Sequence, residues 1–189
     1  MHHFDVETLP AGPWRNGGGT TRTIVSSPAG AEGFGWRASV ADIDRDGPFS
    51  AFPDVDRTLT LLAGDGLRLT CPGVFDRLLA RAGEPFAFAG DHTATAELPG
   101  GPCRVLNIMV RRGPWNARVS QVTVPVVPPA GHAGVLYVLR GNWQAATEGH
   151  VLASGQGVWW DGEDCASGGA VTPITPDATA LWADIAPTN

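Results

Sequence analysis

Polar and apolar residues alternate with period two in a succession of short runs, most of them closed by Gly, Pro, Asp or Asn. The first half carries TTRTIVS (20–26), GWRASVADI (35–43), RTLTLLAG (57–64), GLRLTC (66–71), PFAFAG (85–90), TATAEL (93–98) and CRVLNIMVR (103–111). The second half adds ARVSQVTVPVV (117–127), GVLYVLRG (134–141), NWQAAT (142–147), GVWWDG (157–162) and ALWADI (180–185). Alternation turns one side of each strand toward a core, and so many strands at this spacing predict an all-β sandwich or barrel. The one expected helical turn lies around Pro72 to Leu79, where the pattern is short and weak.

An internal repeat organises these runs. RTLTLLAGDGLRL followed by GEPFAFAG, at 57–69 and 83–90, parallels GVLYVLRGNWQAA followed by GQGVWWDG, at 134–146 and 155–162. In each copy an apolar strand ends in a glycine, Gly64 or Gly141, a hairpin turns, and a second glycine-led unit begins at Gly83 or Gly155. The arrangement resembles the cupin jelly roll. Two copies imply an all-β bicupin, two jelly-roll β-barrel modules in tandem. The first module spans 1–123 and the second, smaller one 124–189, connected by VPVVPPAGHAG and packed as one unit.

Composition narrows the functional classes. With 43% hydrophobic residues in 189, the chain can bury a core without staples. The 25 Gly and 16 Pro, against 17% charged residues, fit many turns and few exposed helices. A net charge of −6, with no Arg run interleaved by aromatics, argues against nucleic acid as a partner. Lysine is absent, so every basic side chain is Arg, the residue that holds a carboxylate by two parallel hydrogen bonds. Cys71, Cys103 and Cys165 are odd in number and contain no C-x-x-C, which fits reduced thiols. No run reaches the roughly 18 apolar residues of a membrane helix and MHHFDVETLP has no signal-peptide pattern, so a cytoplasmic protein without a membrane partner is expected.

Familiar catalytic patterns are missing. His2, His3, His92, His132 and His150 form no H-x-H pair, His2 and His3 fall at what reads as a frayed start, and no metal or cofactor is expected. No serine lies in a G-x-S-x-G elbow, and no cysteine has a neighbouring His to lower its pKa. NGGGTTR, within PWRNGGGTTRTIVS at 13–26, lacks the Lys-Ser/Thr of a P-loop and leads into a strand where phosphate binding needs a helix N-terminus. It reads as a glycine-permitted bend, serving as a plain turn or as a functional lip carrying Trp14, Asn16 and Arg22.

Several longer motifs occur in fixed order: PWRNGGGTTR (13–22), WRASVADI (36–43), DGPFSAFPDVDRTLTLLAGDGLRL (46–69), PFAFAGD (85–91) and GPCRVLNIMVRRG (101–113). The series resembles the HutD/Ves family of bacterial bicupins. That resemblance implies a link to histidine utilisation and a small-molecule-binding or regulatory role. N-formylglutamate or a related intermediate is the suggested ligand, and no reaction is assigned. Carried over residue by residue, it offers Asn16, Arg22, Trp36, Arg37, Ser39, Phe52, Asp56, Arg57, Asn107, Met109 and Arg111 as ligand-binding candidates, with no catalytic residue. Trp14, Thr21, Phe49, Ser50, Asp91 and Arg112 fall in the same motifs. The chain departs from the family pattern at Thr23, where a carboxylate is common, and at Val105, where an Asp is typical.

Strand parity refines this set. Arg37 and Ser39 share a face opposite Trp36, Ala38 and Val40, and Asn107, Met109 and Arg111 share one opposite Ile108 and Val110. Arg37, Ser39, Asn107 and Arg22 converging at a barrel mouth would hold a carboxylate, with Trp36 or Phe52 as an apolar wall. Alternatively, Arg37, Asp56, Arg57 and Arg112 form interior salt bridges that fix the strands. The first functional expectation is a metal-free protein that binds a small carboxylate. The second is a hydrolase or isomerase using Asp56 or Asp91 as base, and the third is a docking protein. By analogy with cupins that pair through edge strands, a homodimer is also expected.

Overall fold

The computed structural model describes residues 1–29, 33–145, 149–162 and 169–188, so Cys165 lies outside the described residues. Each alternating run of the sequence contains a strand, and the chain is all-β. Its contacts divide it into two compact units, Pro10–Arg112 and Met1–Leu9 with Gly113–Asn189.

In the Pro10–Arg112 unit, a six-stranded sheet contains β2 (Ala11–Pro13), β3 (Gly19–Ser27), β4 (Trp36–Ile43), β6 (Val55–Ala63), β9 (Pro85–Ala89) and β11 (Cys103–Arg111). Its antiparallel order is β2-β3-β4-β11-β6-β9. A four-stranded sheet contains β5 (Gly47–Phe49), β7 (Leu67–Cys71), β8 (Phe75–Leu79) and β10 (Ala94–Glu97), ordered β5-β10-β7-β8. The two sheets share one core, in which Ala41, Leu59, Leu61 and Val105 of the larger pack with Phe49, Leu67, Leu69, Leu79 and Ala96 of the smaller. Neither sheet closes on itself.

The other unit repeats the scheme. A five-stranded sheet orders β1 (His2–Asp5), β16 (Gln156–Trp160), β13 (Ala133–Arg140), β18 (Thr179–Pro187) and β12 (Trp115–Val122). A three-stranded sheet orders β15 (Val151–Leu152), β14 (Trp143–Ala145) and β17 (Val171–Pro173). Leu136, Val138, Val158 and Ala180 from the first meet Trp143, Ala145, Leu152 and Val171 from the second in a buried cluster.

The sequence repeat has a direct counterpart in pairing. β6 is flanked by β11 and β9, as β13 is flanked by β18 and β16. Gly83 and Gly155, which lead the second half of each copy, sit at φ +86 and +85, a left-handed conformation that disfavours any side chain with a Cβ.

Three local readings change. Pro72–Leu79 is not helical: Phe75–Leu79 pairs with β7, with Cys71 opposite Phe75 and a turn through Gly73 at φ +75. Among the described residues the single helical element is a 3-10 turn at Val6–Thr8, where the Asp5 side chain accepts from the Glu7 amide. His2 and His3 are not frayed, because β1 pairs along β16 and His2 stacks on Trp159. Strand β12, placed by sequence in a first module ending at 123, pairs along its whole length with β18.

Candidate functional site

The site is built from one face of the six-stranded sheet. Antiparallel register lines up three cross-strand rows: Thr21–Ala41–Val105–Leu61, Thr23–Ser39–Asn107–Leu59, and Arg37–Met109–Arg57. Same-face neighbours on adjacent strands stand about 5 Å apart, so these rows form a continuous floor. Over it lies a cavity of about 480 Å³ lined by this face, by Pro13–Asn16, and by Pro48–Ser50 with Phe52.

The glycine-rich stretch supplies one wall. Trp14 and Gly19 close a hairpin between β2 and β3, with the Trp14 amide donating to Gly19 O at 2.9 Å and the Gly17 amide to Trp14 O at 2.9 Å. Asn16 Oδ1 accepts from the Gly18 amide at 2.9 Å, and Arg45 Nη2 donates to Asn16 O at 2.7 Å. Gly19 has a steric reason to be glycine, because a Cβ there would lie 2.3 Å from Asp42 O. The tightened hairpin presents Trp14, Arg15 and Asn16 to the cavity, so the stretch is both a turn and a lip. Trp14 is fixed by its Nε1 donating to Thr21 Oγ1 at 2.8 Å and by an edge-to-face contact with Phe49.

Arg57 is the most unusual lining residue. It is 4% exposed, yet no carboxylate pairs with it among the described residues. Its guanidinium lies 4.6, 5.1 and 5.2 Å from the ring centroids of Phe49, Phe52 and Phe88. Nη1 donates to Ser50 O at 3.0 Å, while the buried Nε has no partner. Burial, and then the charge of Arg37, push its pKa down to about 10. Arg37 is also lowered by burial, and its Nη2 donates to Thr23 Oγ1 at 2.9 Å. Beside them the buried Asn107 Oδ1 has no hydrogen-bond partner.

Among the described residues the lining therefore holds three arginines, Arg15, Arg37 and Arg57, and no Asp, Glu, His or Cys. Val105 is one of the lining residues and adds no charge. A buried cation without a counter-ion is unfavourable. Such a cavity is complementary to a small anion, which could accept from both guanidiniums while Asn107 accepts a donor from the ligand.

Of the sequence candidates, Asn16, Arg37, Ser39, Phe52, Arg57, Asn107 and Met109 line this cavity. Four do not. Trp36, 1% exposed, lies on the opposite side of β4 because neighbours in a strand alternate. Arg22 likewise faces away, paired with Asp42, whose carboxylate also binds Arg104 Nε at 2.6 Å. Burial raises the Asp42 pKa, and the two arginines outweigh it to hold the carboxyl below its usual range. Asp56 is exposed and accepts from Arg112 Nη2 at 2.8 Å, an arginine that also donates to Asp91 at 2.7 Å. Arg111 is exposed and donates to Phe34 O at 3.3 Å. The expected interior salt-bridge set thus separates into a surface cluster, Asp56–Arg112–Asp91, and two cavity arginines without carboxylate partners among the described residues.

Arg15, Pro48, Ala41 and Leu59 line the cavity without having been singled out. Parity with Ser39 and with Arg57 would have found Ala41 and Leu59, whereas the loop residues carry no periodic signal. Among the described residues, no three His, Cys, Asp or Glu side chains converge as a metal site requires, and no helix is long and apolar enough to cross a membrane.

Fold and cavity together define an all-β, cupin-like protein with a cationic pocket. A cupin 2 conserved barrel domain protein from Leptotrichia buccalis shares the fold at TM-score 0.58 and 9% identity, covering 99% of this chain and 96% of that one. The HutD family model matches residues 6–179, and the chain belongs to the HutD/Ves family. Protein Ves of Citrobacter koseri is 39% identical over 187 residues, 98% of this chain and 94% of the relative. Protein Ves of Cronobacter sakazakii is 39% identical over 161 residues, covering 85% and 87% respectively. The solved structure of HutD from Pseudomonas fluorescens SBW25 superposes at TM-score 0.83 with 28% identity, covering 100% of this chain and 99% of that one.

Proposed function

We propose that this protein is a metal-free bicupin that binds a small carboxylate metabolite in the cavity of its Pro10–Arg112 unit. Binding there regulates histidine utilisation, with an intermediate such as N-formylglutamate as the ligand. The observation that carries the reading is Arg57, a guanidinium 4% exposed in a cavity lined by two further arginines and no acid. A carboxylate bridging Arg37 and Arg57 would supply the missing counter-charge by charge-assisted hydrogen bonds. The solved HutD of Pseudomonas fluorescens is a formate-condition structure, formate being the smallest carboxylate.

Binding is favoured over catalysis by the lining itself. General acid–base chemistry needs a group that titrates near the working pH, and the lining side chains offer none. The two acids named from sequence, Asp56 and Asp91, are tied to Arg112 at the surface. We further propose a cytoplasmic location and a homodimer, the latter by analogy with other cupins.

A thermal-shift series with formate, glutarate, urocanate and N-formylglutamate, with and without chelator, tests the reading. One acid should stabilise the protein with or without chelator, and Arg37→Ala should abolish the shift. No shift with any acid at millimolar concentration overturns it.

A further inference from the structure

The charge pattern of the cavity also bears on what the ligand must lack. We infer that the cavity selects carboxylates without a free ammonium group: acids whose nitrogen is acylated or absent bind, and the parent α-amino acids are excluded. The inference rests on the carboxylate-binding reading above and deepens it into a rule of ligand class.

Three observations carry it. First, Arg15, Arg37 and Arg57 line the cavity with no carboxylate among the described lining side chains, so an ammonium would enter a field of like charge with no protein counter-ion there. Second, two of the three aromatic side chains of the lining, Phe49 and Phe52, already face a cation. Phe49, Phe52 and Phe88 already surround Arg57, each centroid within 5.2 Å of its guanidinium carbon. Third, the buried unpartnered acceptor of the lining is neutral. Asn107 Oδ1 can accept the N–H of an amide nitrogen but supplies no counter-charge to an ammonium. The site therefore separates a compound whose amino group has been removed or masked from the amino acid it derives from.

The magnitude follows from Coulomb's law. A unit charge about 8 Å from one guanidinium, at an effective dielectric constant of about 20, is repelled by an amount worth about thirty-fold in affinity. Isothermal titration of the full chain with glutamate, glutarate, N-formylglutamate and N-acetylglutamate at pH 7.5 and fixed ionic strength reads this directly. The four share a five-carbon diacid skeleton and differ at the nitrogen. The expected result is binding of at least one of the last three, with glutamate weaker by about thirty-fold. A glutamate affinity within about ten-fold of the tightest acid overturns the selection rule while leaving carboxylate binding intact. Absence of binding by all four, and by formate, overturns the carboxylate reading and the rule with it.

Discussion

Replacing Arg57 by Met separates a ligand clamp from a structural strut. A pKa lowered from 12.5 to about 10 means that the charged form is disfavoured by about 3 kcal/mol. Against this stand three ring contacts, at about 0.5–1 kcal/mol each, and one hydrogen bond from the cation to Ser50 O, worth about 1.5 kcal/mol. The opposing contributions nearly cancel. Met retains much of the apolar stem that packs under the rings, so Arg57→Met should change the stability of the ligand-free protein by no more than about 1 kcal/mol. For a chain of 189 residues that is a melting shift of at most about 2–4 °C in either direction. Carboxylate affinity, by contrast, should fall about 100-fold with the loss of charge-assisted hydrogen bonds. Calorimetric melting without ligand, paired with titration of N-formylglutamate, measures both quantities. A loss of more than about 3 kcal/mol without ligand, or unchanged affinity, would refute the assignment of Arg57 to binding.

Other substitutions probe the framework. Gly19→Ala should destabilise the protein by at least about 2 kcal/mol in denaturant melts, because its Cβ would meet Asp42 O at 2.3 Å, backbone that cannot rotate away. Burial, and then the Asp42 charge, push the Cys103 thiol up to about 11, so iodoacetamide at pH 8 should label buried Cys103 and Cys71 only after denaturation. Asp91 is held down near 2 by hydrogen bonds from Arg112 and from the Asp54 amide. With the folded pKa below the ordinary value of about 3.9, its contribution is present above pH 4 and lost as pH falls through 2. Asp91→Asn should therefore melt lower than wild type at pH 7, and the gap should close between pH 4 and pH 2.

Period-two parity was enough to put Arg37, Ser39, Asn107 and Met109 on one face, because β4 and β11 run without interruption in register. Parity also contained the correction for Trp36, which alternates with Arg37 and so belongs to the other face of the sheet. Arg22 was harder to place. Its strand β3 shifts register between Thr23 and Val25, and TTRTIVS is polar on both sides before that point, so the sequence carries no parity signal there. The cage around Arg57 was not legible at all: Phe49, Phe52 and Phe88 come from β5, the loop after it and β9, brought together only by the pairing of Arg57 with Phe88 and the fold of the 50–54 segment. The swap of the N-terminal nine residues into the Gly113–Asn189 unit is equally a long-range pairing, β1 on β16, invisible to local pattern.

In the proposed function, Arg37 and Arg57 together hold a carboxylate. A crystal structure of the protein saturated with N-formylglutamate tests it most directly. Carboxylate oxygens should lie within hydrogen-bond distance of both guanidiniums, with the ligand's N–H directed at Asn107 Oδ1. Ligand density outside this cavity, or an empty cavity at saturating concentration, would contradict it.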